Sequence, residues 1–327
     1  MSFAVVFFAA VLTADRSATA DDASGQVWLI NTRCAPRSGR LDWASESITY
    51  RRLQADRRWL PADGDELFLG GDRPVPTTIF IHGNRTSGSQ AVSDGMRIYR
   101  RIQREVPERP FRLVIWSWPS ERVRGGIRRD IRVKASQSDA QGYYLAECLR
   151  RVSPNVPVSL IGYSFGARVI TSALHLLAGG QVAGRRLPDD VGRELPAPEQ
   201  APLRRAILVA AAVDADWLLP GRRNGLALSQ VDRLLITKNG RDPVLRWYPL
   251  TCGRRGPEAL GFAGLAGCWL DERIELLNVS CSVGRFHDWA RYLTSMGLRR
   301  RLAWYTFLHA PQPANAPTLA APEVSAQ

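Results

Sequence analysis

Residues 158–170 read V-S-L-I-G-Y-S-F-G-A-R-V-I. A buried-type strand, Val158 to Ile161, runs into Gly162-Tyr163-Ser164-Phe165-Gly166, and a helix-forming stretch begins at Ala167. A G-x-S-x-G match alone is weak, because a chain with 27 glycines produces one by chance on the order of 0.1 times. The strand–turn–helix setting gives it meaning. A serine on such a turn is held in a strained conformation that lifts its hydroxyl out of the sheet, and flanking glycines let strand and helix approach closely. The helix N-terminus behind it presents free N–H groups to a developing anion. Ser164 is the candidate nucleophile.

The surrounding chain repeats the same alternation. Eight β-rich runs stand out, at 26–32, 47–53, 77–81, 111–117, 157–161, 205–212, 232–238 and 275–281. Helical spacing of apolar residues falls at 89–106, 137–151, 166–178 and 286–296. Continuous apolar strands separated by helices predict a mostly parallel eight-stranded sheet with helices on both faces and its site at the carboxyl ends of the strands. The first two runs are a candidate hairpin with a long connection. The chain of 327 residues, 45% hydrophobic, suits a single α/β domain over 21–310, with its core at about 75–300. Two stretches, 180–204 and 252–267, read as loops. Residues 311–327, PQPANAPTLAAPEVSAQ, read as a disordered Pro/Ala-rich tail.

The formal net charge is +13, yet only Lys134 and Lys238 are lysines and the arginines are scattered. The densest clusters carry no interleaved aromatic stacking platform, so nucleic acid is not an expected partner. The N-terminus, MSFAVVFFAAVLTADRSATADD, has an apolar core too short to span a bilayer and an Ala18-Thr19-Ala20 cleavage pattern. It predicts a signal peptide over 1–20 and export to the periplasm or medium, with a cytoplasmic location as the alternative because the stretch before the apolar core lacks a basic residue. No later segment reads as transmembrane. The five cysteines, at 34, 148, 252, 268 and 281, contain no C-x-x-C pair, so a metal site is not expected. Cys252 and Cys268 bracket a Gly-rich stretch and could close a loop; buried free thiols are an equal alternative.

The motif needs an oxyanion hole, a base and an acid. Ile79-Phe80-Ile81-His82-Gly83-Asn84 is a buried strand ending in His-Gly before a flexible loop. The backbone N–H of Phe165, the residue after the nucleophile, supplies one oxyanion donor, and that of Asn84 or Gly83 supplies the second. The His82 side chain reads as a structural group ordering the loop. Among the four histidines, His175 sits eleven residues along the helix after Ser164, about 16 Å away at 1.5 Å per residue. His309 precedes the tail. His287 follows the last strand, in C-S-V-G-R-F-H-D-W, at the mouth of a helix, and is the preferred base. The acid then lies between Ser164 and His287. Asp242, after the seventh strand in the shaped loop N-G-R-D-P, is preferred, and Asp214 after the sixth is the alternative, also readable as a helix cap. Trp116 and Trp118 alternate along the fourth strand. Trp118 and Tyr163 are candidate pocket walls, and Trp116 reads as core.

On I-F-I-H-G-N (79–84), W-S-W-P-S (116–120), I-G-Y-S-F-G-A-R-V (161–169), N-G-R-D-P-V (239–244) and R-F-H-D-W (285–289), the chain resembles the α/β-hydrolase superfamily, and within it the uncharacterised, largely bacterial esterase/lipase-like members. The resemblance spans about 75–300 and implies acyl-ester chemistry by a Ser-Asp-His triad, with no cofactor or metal. Small-molecule or lipid-like esters are the substrates it implies. An inactive binding protein on the same fold and an acyltransferase or thioesterase are the competing functions. Residues 21–74 carry no motif.

Overall fold

In the computed structural model, which describes residues 25–39, 41–44, 46–68, 74–188, 202–251, 256–267 and 271–309, the apolar runs become the strands of one sheet. In chain order the elements are β1 (Gln26–Asn31), β2 (Thr49–Leu53), β3 (Trp59–Pro61), α1 (Gly64–Phe68), β4 (Thr77–Ile81), α2 (Gly88–Glu105) and β5 (Arg112–Ser117). There follow α3 (Ile127–Arg151), β6 (Val158–Tyr163), α4 (Phe165–Leu177), β7 (Arg204–Val209), β8 (Arg233–Lys238), α5 (Pro243–Arg246) and α6 (Leu260–Ala263). The described chain closes with β9 (Ile274–Asn278), α7 (Ser280–Val283), α8 (Trp289–Thr294) and α9 (Met296–Tyr305).

The strand order is β3-β2-β1-β5-β4-β6-β7-β8-β9. Only the β2 pairings, with β1 and β3, are antiparallel; every other neighbour is parallel. The first two runs do pair, with Ile30 opposite Tyr50. The sheet has nine strands where eight are expected. The extra one, β3, has three residues on the open edge, too few to show a period-two pattern. The run at 205–212 is a strand only to Val209, and two further expected elements change. The run at 275–281 is a strand only to Asn278 and then turns into α7, and the expected helix at 286–296 is two helices broken at Ser295. Helix α3 begins ten residues before the predicted 137, because Ile127–Ser136 is rich in arginine and shows no apolar stripe.

The inner strands are buried on both faces: every residue of β4 and β5 is buried, as are the first five of β6. Layers of helix are needed to cover them. Helix α3 packs on α4, while α2 packs against α8 and α9. From β4 the chain crosses to β5 on one side, then returns past β4 to β6 on the other. Right-handed crossovers in opposite directions put α2 and α3 on opposite faces. The crevice at this reversal opens beyond the carboxyl ends of β4 and β6, where open α/β sheets place their ligands. The mostly parallel sheet, two helical layers and the turn after β6 define an α/β-hydrolase-like fold. Among the described residues no helix is long and apolar enough to cross a membrane. The expected signal peptide, the tail, and Cys252 and Cys268 lie outside the described residues. Cys34, Cys148 and Cys281 are free thiols.

Candidate active site

At the end of β6 the backbone of Ser164 takes φ 53° and ψ −112°, a conformation L-residues rarely hold. Three hydrogen bonds fix it. The Ser164 N–H donates to Val209 O (2.8 Å), and its carbonyl accepts from Ala167 N (3.1 Å) and Ala212 N (3.2 Å). The glycines are required by contact. A methyl on Gly166 would sit 2.1 Å from Ile81 O, and one on Gly162 would sit 2.8 Å from the Gly166 backbone. Strand β4, the elbow and α4 therefore touch backbone to backbone.

Ser164 Oγ lies 3.1 Å from His287 Nε2, and His287 Nδ1 lies 2.7 Å from Asp242 Oδ2. Oδ2 also accepts the Tyr292 hydroxyl at 2.8 Å. An ionised carboxylate only accepts, so Nδ1 carries the imidazole proton and Nε2 is free to accept from Ser164. Asp242 is fully buried. Its second oxygen caps α5 through Val244 N (2.9 Å) and Leu245 N (3.2 Å), with Pro243 at the first helical position. The carboxylate is thus held by four donors. Arg241, its neighbour in sequence, is exposed. Burial, and then the nearby Asp242 charge, push the Tyr292 hydroxyl up, so it stays a protonated donor. Asn239 joins the two loops: its Nδ2 donates to Gly284 O (2.9 Å) and to the Tyr292 hydroxyl oxygen (3.2 Å).

The other candidates are elsewhere. Asp214 Oδ1 accepts the Tyr248 hydroxyl at 2.6 Å. Asp288, the acid next to His287 in sequence, caps α8 through Arg291 N. His175 sits at the far end of α4 and accepts from Leu226 N.

The loop after β4 lies against the elbow. A methyl on Gly83 would come within 3.2 Å of Ser164 Cβ and 3.0 Å of the Tyr163 ring. Neither the Asn84 nor the Phe165 backbone N–H has a partner among the described residues. His82 is fully buried and orders this loop: Nδ1–H donates to Gly83 O (2.9 Å), and Nε2 accepts from Trp118 N (3.2 Å). Burial holds its imidazole neutral, lowering its pKa to about 3. Arg33, just past β1, adds a second tie, with Nε on Ser117 Oγ (2.7 Å) and Nη2 on Thr86 O (3.1 Å).

Of the two expected pocket walls, Tyr163 lies beside the site, its ring centroid 5.3 Å from that of His287. Trp118 does not form an open wall. It is fully buried, stacked on His82 at 5.6 Å, and its indole N–H donates to His82 O at 2.9 Å. Alternation along β5 cannot separate Trp116 from Trp118, because the chain past the end of β5 is still covered by the β4 loop. Tyr292 and Arg33 carry no sequence signal. Tyr292 follows His287 by five residues, and only the angle of α8 turns it back toward Asp242.

Residues 116–184, from the end of β5 through Ser164 and α4, match a family described as a protein of unknown function, DUF726. No curated protein matches the sequence. Similar solved structures include TT1662 from Thermus thermophilus, 14% identical, covering 79% of this chain and 93% of that one, with a TM-score of 0.40. Carboxyl esterase 2 of the mycorrhizal fungus Tuber melanosporum is 12% identical over 87% of this chain and 86% of its own, with a TM-score of 0.36. The thermophilic esterase Est2 of the planctomycete Thermogutta terrifontis is 13% identical over 84% and 93%, with a TM-score of 0.36.

Proposed function

We propose that the protein is a serine hydrolase of carboxylic esters. The observation that carries this is the unbroken relay from Ser164 Oγ through His287 to Asp242, at 3.1 and 2.7 Å, with the serine in a strained turn. His287 Nε2 takes the Ser164 proton as Oγ attacks the ester carbonyl, and later returns it to the departing alkoxide. Asp242 keeps the imidazole in the required tautomer and stabilises the imidazolium. The Phe165 and Asn84 N–H groups, next to the serine and without other partners, receive the tetrahedral oxyanion. Water completes the cycle by attacking the acyl-enzyme. No metal or cofactor enters these steps.

Ser164 is only 5% exposed, with the Tyr163 ring beside its histidine. The test is hydrolysis of p-nitrophenyl acetate and butyrate. The parent chain turns them over, and Ser164→Ala lowers kcat by about 10⁴-fold or more. Equal rates for the two proteins would refute the assignment.

A further inference from the structure

The surface around the proposed triad combines exposed apolar side chains with positive charge. Two loops form its rim, stitched together by Asn239 Nδ2 on Gly284 O and by the Asp242–His287 bond. One carries Val244 and Trp247, 55% and 61% exposed, and the other carries Phe286, 45% exposed. Large apolar side chains this exposed, within five residues of a buried carboxylate or next to its histidine, contribute nothing to the core.

Arginines interleave them. Arg241 and Arg246 stand on the first loop, Arg285 and Arg291 on the second, and all four are exposed. None of the four forms an ion pair among the described residues. Arg291 lies over the Phe286 ring at 3.7 Å and Arg246 over Trp247 at 6.0 Å. The α2/α9 face is basic as well, but different in kind. Arg101 and Arg299 share Glu105 and Arg301 pairs with Glu275, and the exposed Arg100, Arg104 and Arg300, which form no ion pair among the described residues, have no exposed aromatic ring on those helices. Positive charge at the rim is left open to an outside partner.

We infer that this rim docks the site onto an anionic lipid bilayer, from which the ester substrate is drawn. This rests on the serine-hydrolase reading for the substrate, but not for the docking. A guanidinium over an aromatic ring beside an aliphatic side chain matches the headgroup–acyl boundary, with charge toward phosphate and rings and methyls toward the chains. A nucleic-acid partner fits less well, because Arg291 already covers the Phe286 face that a base would stack on.

The experiment is co-sedimentation of the full chain with vesicles of phosphatidylcholine alone, or with about one third phosphatidylglycerol. The parent chain binds the anionic vesicles, releases as salt is raised, and binds the neutral ones at least tenfold more weakly. The double variant Arg246→Gln, Trp247→Ala loses at least tenfold in anionic-vesicle binding, while its circular dichroism and melting match the parent's. The control Arg104→Gln, Arg300→Gln, on the α2/α9 face, retains binding. Ser164→Ala binds vesicles like the parent, so a failed hydrolase reading and a failed docking reading give different results. The inference is overturned by absence of vesicle binding, by equal binding to both compositions, by an unaffected rim variant, or by binding to an oligonucleotide in place of vesicles.

Discussion

The Tyr292 hydroxyl donates to Oδ2 of Asp242 at 2.8 Å, the same oxygen that receives the His287 Nδ1 proton at 2.7 Å. A buried carboxylate with one donor from the His287 imidazole and one from a fixed phenol has its orientation set by both. Tyr292→Phe removes the donor to Asp242 and the acceptor of Asn239 Nδ2, and leaves the ring packing in place. Bonds to charged groups contribute about 1.5–3 kcal/mol, so urea unfolding should show a loss in that range. The rate should fall about tenfold in kcat, equivalent to ~1.4 kcal/mol, with KM little changed. A stability loss with unaltered kcat would make Tyr292 a purely structural partner.

Asp242 and Asp214 both follow strand ends, but they have different partners. Asp242→Asn keeps the cap on α5, because asparagine caps helices as well as aspartate does. It reverses the tautomer preference of His287, and kcat should fall about 10⁴-fold with little change in melting. Asp214→Asn disturbs only the bond with Tyr248, and its kcat should stay within about twofold of the parent. Steady-state kinetics on one soluble ester checks both.

Two glycines separate fold from chemistry. In Gly166→Ala the new methyl meets the Ile81 carbonyl at 2.1 Å, and neither backbone can yield. The chain should lose about 3 kcal/mol of stability or fail to fold. In Gly83→Ala the contacts are 3.0–3.2 Å, to Tyr163 and Ser164. That variant should fold, with the β4 loop displaced by a few tenths of an ångström and kcat lowered about 10²-fold through the oxyanion donor. Melting curves and kinetics on the pair show whether the two effects divide in this way.

The pH dependence of stability has a definite sign at His82. Burial lowers its folded pKa to about 3, against 6.5 in the unfolded chain. Below pH 6.5 the unfolded chain takes up a proton that the native state refuses. The His82 contribution is therefore complete above 6.5 and is lost as pH falls toward 3, at about 1.4 kcal/mol per pH unit. His82→Gln can still accept from Trp118 N and lacks this titration. Urea unfolding of the two proteins should give pH slopes that differ by about one proton near pH 5 and converge above 6.5, and parallel slopes near pH 5 would contradict the neutral buried imidazole.

What could be read in advance follows from how local each signal is. The Ser164 turn, His82-Gly83 and the Asp242 loop each declare themselves within about six residues, through a strand, a glycine and a cap. The supports of the site do not. Tyr292 reaches Asp242 across fifty positions, and Arg33 reaches Ser117 and Thr86 from a strand pair that shows no motif. Trp118 has the alternation of a pocket residue, yet the ring it meets belongs to His82, thirty-six positions earlier. The short edge strand β3 has no buried residue, and the first turns of α3 bury Asp130 and Lys134 in place of an apolar stripe, so the hydrophobic period is silent in both.

The central claim is that Ser164 is a nucleophile activated by His287. Intact-mass measurement after exposure to a fluorophosphonate reads this directly. The parent chain should gain a single phosphonyl adduct that maps to the peptide containing Ser164. Asp242→Asn should gain it far more slowly, and Ser164→Ala should gain none. An adduct of equal yield on Ser164→Ala, or an intact parent chain that never takes one up, would contradict the account.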